Sequence, residues 1–273
     1  METNAQSGPK VITLSANKGG VGKTRMAILI ANCLGASGRQ VLVMDMDFNN
    51  SASFYYLSPE HTDIARTKNI ADGLSRETNN LADYALTTDH PGVHLLASSR
   101  YLADLRSINE KRLSRMTGLL SGLYDVILVD CQPDYNNLTL NALNAADLII
   151  TPVLKDLDSY NAACFLGQKI ALDTDKYDAW HITINGYNHQ YEAALSGKQK
   201  EYLDIYKNEF QRITDPATWF PWTADMNEIK DRKKLLSGQQ IRGAVQNPEL
   251  YQAVIKLSEF CIQDELLERP AVF

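Results

Sequence analysis

The stretch Lys18-Gly19-Gly20-Val21-Gly22-Lys23-Thr24 constrains this chain more than any other. It follows the apolar run Val11-Ile12-Thr13-Leu14 and opens a helical pattern over 23–37. A strand, a glycine-rich turn and a helix start in that order make a P-loop. Glycines let consecutive backbone N–H groups converge on a phosphate with no Cβ in the way, and the helix start adds its positive end. Gly19, Gly20, Val21, Gly22, Lys23, Thr24 and Arg25 are therefore the expected nucleotide cradle. Lys23 is placed to reach the β- and γ-phosphates, and Thr24 offers a hydroxyl to magnesium.

The rest of the chain supplies the fold such a loop needs. Strand-like runs recur at 10–15, 40–45, 93–97, 125–130, 147–152 and 180–185. Helical patterns lie between them at 23–37, 101–120, 136–146 and 159–173, and shorter ones at 69–75 and 81–85. This alternation predicts an α/β fold of three layers, a mostly parallel twisted sheet with helices on both faces. Further helices are expected at 191–211, 226–236 and 248–267. With no repeat or linker, the chain reads as a single domain over 1–273, with a flexible N-terminus at about 1–9 and a C-terminal helix and tail at 247–273.

Composition excludes several classes. A net charge of −6 argues against a protein coated in positive field, so any nucleic-acid contact must come from a local patch. Residues 1–10 lack a signal-peptide pattern, and the longest apolar runs are far short of a membrane span, so a cytoplasmic protein is expected. Cys33, Cys131, Cys164 and Cys261 form no C-x-x-C pair; zinc, disulfides and an iron–sulfur cluster beside Asp130 are all disfavoured.

The motif with a second lysine, Lys18, ahead of the glycines resembles the deviant Walker A sequence of the ParA/MinD family. Two more blocks carry the resemblance. Val41-Leu42-Val43-Met44-Asp45-Met46-Asp47 is similar to its switch I strand, and Tyr124-Asp125-Val126-Ile127-Leu128-Val129-Asp130-Cys131-Gln132-Pro133 to its Walker B strand and switch II. The resemblance implies a P-loop NTPase fold, with ATP and Mg2+ as cofactors and a homodimer that closes on ATP. Lys18 then reaches the phosphates held by the other subunit, Asp47 orients the attacking water, Asp45 lies nearer the magnesium and Asp130 holds the metal through water. Asn185 and Pro221 resemble the family's adenine-pocket residues; as plain sequence they also suit a turn before Gly186 and a loop. The chain departs from the pattern at Phe48, Asn49 and Asn50 after Asp47, and at Gln132 and Asp134 after Asp130. These changes remove no metal or phosphate ligand but bear on switch geometry and partner coupling.

The branch of the family follows from two ends of the chain. The last fifteen residues carry Glu259, Asp264, Glu265 and Glu268 against Arg269 alone, which anionic lipid would repel; no membrane partner is expected. Lys230, Arg232, Lys233, Lys234 and Arg242 fall within thirteen residues containing one acid, Asp231. On a helix Lys230, Lys233 and Lys234 share a face, as a solvated surface does and as a site for sequence-independent DNA binding also does. The resemblance places DNA-contacting residues in this region. It also implies a centromere-binding, ParB-like partner that stimulates hydrolysis, and a nucleoid-associated location. The P-loop strand begins about ten residues in, so the helix-turn-helix extension of some larger relatives is not expected. The expected function is ATP-driven segregation of a plasmid or chromosome. Two alternatives remain: a positioning ATPase for a protein cargo or conjugation machinery, and a metabolic P-loop enzyme; the lack of a substrate-specific catalytic cluster beyond the nucleotide site argues against the second.

Overall fold

The computed structural model describes residues 8–58, 61–77, 79–105, 107–188, 193–223 and 247–262. Seven strands form one sheet in the order β3-β4-β2-β5-β1-β6-β7. They are β1 (Lys10–Leu14), β2 (Val41–Met46), β3 (Leu86–Thr87), β4 (Val93–Leu96), β5 (Val126–Cys131), β6 (Leu148–Val153) and β7 (Trp180–Ile184). All neighbours pair parallel except β3, which runs antiparallel to β4 at the edge. The two-residue β3 was not among the expected strands.

The central strands β2, β5 and β6 are buried at every position, as sheets covered on both faces require. Alternate residues serve opposite layers. Val41, Val43, Val126 and Leu128 pack with α1 (Lys23–Ala36), α2 (Ser51–Tyr56) and the C-terminal helix α9 (Pro248–Ile262). Leu42, Met44, Met46, Ile127, Val129 and Cys131 face the other layer, with α4 (Ile70–Leu74), α5 (Arg112–Gly118) and α6 (Asn137–Ala145). A third cluster joins β6 and β7 to α7 (Leu157–Asp173) and α8 (Gly197–Glu209) around Trp219. The short α3 (His61–Ile64) has no buried residue. The three-layer α/β fold with its mostly parallel sheet is as expected.

Two expected helices differ. The stretch 101–120 is a 3-10 segment, Arg100–Leu105, followed separately by α5. Between them Asn137 and Asn144 of α6 donate to the carbonyls of Ile108 and Glu110, and Asn109 accepts from the Lys111 and Arg112 N–H groups. Those bonds take groups that a continuous helix would use internally. Farther on, α8 begins at Gly197 because Ser196 and Gln199 form a reciprocal capping box there.

Candidate nucleotide site

The site lies at the C-terminal ends of three adjacent strands. Register sets Asp130 level with Leu14 of β1 on one side and Asp45 of β2 on the other. The loop that leaves β1 therefore faces carboxylates carried by its neighbours, where open α/β sheets bind ligands. Within the loop, Gly20 and Gly22 have φ of 77° and 102°. A Cβ at Gly22 would also collide with the Asn185 amide. Gly22 caps α1 without any side-chain hydrogen bond, so the positive end of this helix stays open to an anion.

Lys23 is 6% exposed and donates to the carbonyls of Ala16 and Lys18, both at 3.3 Å. Burial lowers its pKa, while Asp130, Cys131 and Asp47 hold its charge in place. Thr24 and Arg25 follow it half-buried at the helix start. A cation with only backbone carbonyls as hydrogen-bond partners, at the end of a glycine cradle, can exchange them for phosphate oxygens.

The two fully buried carboxylates differ sharply. Asp45 accepts three hydrogen bonds: from the Asp47 N–H at 3.1 Å, and from the Ser53 N–H and hydroxyl, each at 2.7 Å. Burial pushes it up to about 6 against those bonds. At Asp130 neither oxygen accepts a hydrogen bond of good geometry. Burial, then the charge of Asp45, push it up to about 8, although the nearby Thr24 hydroxyl and Lys23 favour the ionised form. A buried oxygen pair without donors, beside a threonine hydroxyl, is a donor set that fits a hard divalent cation carrying its own waters. Asp45, expected nearer the magnesium, accepts one bond from the turn after β2 and two from Ser53 of α2.

Asp47 is 8% exposed and turns the chain after β2, accepting from the Asn49 N–H at 2.9 Å and its amide at 3.0 Å. Ser53 and Ser98, which the sequence did not single out, hold this turn. Ser53 receives the Ser98 N–H at 2.7 Å, and the Ser98 hydroxyl returns to the Asp47 carbonyl at 2.7 Å. The only sequence signal was Asn50-Ser51 ahead of a helix; Asn50 adopts φ 54° as the α2 cap.

Lys18 points elsewhere. Its ammonium donates to Asp156 at 2.7 Å and to the Ser159 hydroxyl at 3.1 Å, at the N-terminus of α7. Asp156 also caps that helix through the Ser159 N–H; burial opposes ionisation, but the Lys18 and Ser159 bonds hold its pKa below the ordinary range. The structure thus shows Lys18 paired within its own chain.

Asn185 and Pro221 come together with the P-loop. Asn185 is 4% exposed and donates to the Val21 carbonyl at 2.7 Å, and its oxygen accepts the Gly186 N–H. A bridge between Asn185 and Phe220 sets the buried Pro221 beside it. Lys155 donates to the Gly186 carbonyl nearby, and burial lowers its pKa to about 8. Cys131 is buried, and its thiol is raised first by that burial and then by Asp130. The expected helix at 226–236 and the basic residues Lys230, Arg232, Lys233, Lys234 and Arg242 lie outside the described residues. Among the described residues, no helix is long and apolar enough to cross a membrane.

Comparison with known proteins places this geometry. Residues 9–171 match a family model described as an AAA domain. The chain is 32% identical over 158 residues to the chromosome partitioning protein ParA of Caulobacter vibrioides, covering 53% of this chain and 55% of that one. It is 31% identical over 149 residues to the sporulation initiation inhibitor protein Soj of Bacillus subtilis, covering 53% and 58%. The matched region thus spans little more than half the length of these relatives. In fold it is similar to a plasmid partition protein from Borrelia burgdorferi B31 solved with AMPPNP, at TM-score 0.72 and 22% identity, covering 91% of this chain and 98% of that one.

Proposed function

Because the chain belongs to the ParA/MinD type of P-loop ATPases, we propose that it binds and hydrolyses ATP with Mg2+ to time the segregation of DNA. The observation that carries this reading is the buried set of Lys23, Asp47 and Asp130 around an uncapped helix start, with Asp130 holding two unpartnered oxygens. The Borrelia relative's AMPPNP complex supports ATP as the nucleotide.

In this reading the 19–25 backbone and Lys23 bind the phosphates, and Thr24 and Asp130 hold the magnesium. The metal, when bound, withdraws negative charge from the phosphate oxygens. Asp47 orients the attacking water. Asp45 fixes the turn that carries Asp47. Asn185 and Pro221 flank the adenine; with one hydrogen already on Val21, the Asn185 amide keeps a second hydrogen for the base edge. Lys18 leaves Asp156 and reaches the partner protomer's nucleotide, so that ATP closes a homodimer of single-domain subunits. Lys230, Arg232, Lys233, Lys234 and Arg242 bind DNA without reading sequence, and a ParB-like protein on a centromere site stimulates hydrolysis in a nucleoid-associated cycle.

The dimer would present two basic patches at fixed separation, raising avidity without new contacts. Filter binding of arbitrary duplex DNA across a salt series tests it. Retention is expected with ATP, not with ADP, falling steeply with salt. Equal retention with both nucleotides, or none with either, contradicts segregation and favours a protein cargo.

A further inference from the structure

Gln132 is 3% exposed, and its Nε2 is buried without an acceptor among the described residues. A buried donor left unpaired destabilises the folded chain, so its retention asks for a partner that the polypeptide itself does not supply.

Its position says where that partner sits. Along β5, Val126 and Leu128 pack on the α1 side, while Ile127, Val129 and Cys131 pack on the other. The period of two puts Asp130 on the α1 side with the P-loop, and Gln132 is the first residue past the strand end, two beyond Asp130. On β2 the same alternation puts Asp45 on that side with Val41 and Val43, and Asp47, just past the strand end, acts electrostatically on Lys23 and Asp130. The β2–β5 register pairs Asp45 with Asp130 and Met46 with Cys131. Asp47 and Gln132 are the residues that follow the last pair of this register.

We infer that Gln132 is a second water-orienting residue of the hydrolytic site, its amide donating to the attacking water while the Asp47 carboxylate accepts from it. The inference rests on the nucleotide reading of this site. A carboxylate that accepts and an amide that donates constrain a water's orientation from two sides, which neither does alone. This division also gives the departure at Gln132 a chemical role, because its amide is a side-chain donor. The contribution falls on the reacting geometry and not on ground-state nucleotide affinity, because Lys23 and the 19–25 backbone already hold the phosphates.

Gln132→Met keeps the volume and removes the amide; Gln132→Glu keeps the shape and, when ionised, removes the donor. For both, phosphate release, affinity for a non-hydrolysable ATP analogue, and affinity for ADP with aluminium fluoride should be measured. The nucleotide-free melting temperature of Gln132→Met gives a readout independent of turnover. Expected are an ATP-analogue affinity within about threefold of wild type, a tenfold or greater loss of aluminium-fluoride affinity and of turnover, and a melting temperature for Gln132→Met at or above wild type. Wild-type turnover in Gln132→Met overturns the inference, as does a melting temperature lowered by several degrees with both affinities reduced equally. Asp47→Ala in the same assays separates the two levels. If it too hydrolyses ATP at the wild-type rate, the reading of the site fails; if it alone is inactive, only the assignment of Gln132 fails.

Discussion

Asp45 and Asp130 stand on the same rung of adjacent strands, both fully buried, yet they do opposite work. Asp45 is enclosed by donors from Asp47 and Ser53 and anchors the turn after β2 to α2. Asp130 accepts no hydrogen bond of good geometry among the described residues and is the more strongly raised in pKa, with the charge of Lys23 nearby. Equal burial therefore yields two roles, decided by who supplies the hydrogen bonds. In the proposed reading the β2 end is held by the chain and the β5 end by the metal.

Removing the cation between these ends has the largest effect. Lys23→Ala should weaken nucleotide binding by roughly a thousandfold, about 4 kcal/mol, because the cradle loses its main charge. Titration with a fluorescent ATP analogue measures this, and unchanged affinity would break the assignment of the whole site. Next comes Asp47, held by the Asp45–Ser53–Ser98 ring. Asp47→Ala should bind ATP normally but release phosphate roughly 100-fold more slowly. Wild-type hydrolysis would return Asp47 to a structural role and make the ring a device for holding α2 alone.

A pH dependence sharpens the contrast from the other side. The folded pKa of Asp130, about 8, lies above the ordinary carboxylate value, so the folded state retains a proton that the unfolded chain releases above about pH 4. That stability is fully present below about pH 4 and is lost as pH rises to about 8. Chemical denaturation of the nucleotide-free protein at pH 5 and pH 8 should show Asp130→Asn gaining on wild type over this interval. A constant difference between the two would mean that Asp130 is already ionised throughout.

Much of this was legible before the fold was seen. The P-loop is written in consecutive residues, and buried parallel strands announce themselves as unbroken apolar runs such as Val126-Ile127-Leu128-Val129. What was not legible depends on partners distant in sequence. Asp45 and Asp47 look alike in an Asp-x-Asp pair; only the return of Ser53 to Asp45 distinguishes them. The break at 107–111 is imposed by asparagines of α6, about thirty residues away. Lys18 reads as one of two lysines in a motif, and its pairing with Asp156, 138 residues on, is invisible until α7 is docked. Asn185 likewise finds the Val21 carbonyl 164 residues back.

The most direct test of the division between the two carboxylates is unfolding stability at pH 8 for wild type, Asp45→Asn and Asp130→Asn, each with and without ATP and Mg2+. Asp130→Asn should be at least as stable as wild type without nucleotide and lose the magnesium-dependent part of the ATP stabilisation. Asp45→Asn should lose about 1–3 kcal/mol without nucleotide, because one amide oxygen cannot replace two carboxylate oxygens that accept three bonds. An Asp130→Asn protein that keeps the full magnesium increment, or an Asp45→Asn protein as stable as wild type, would contradict the account.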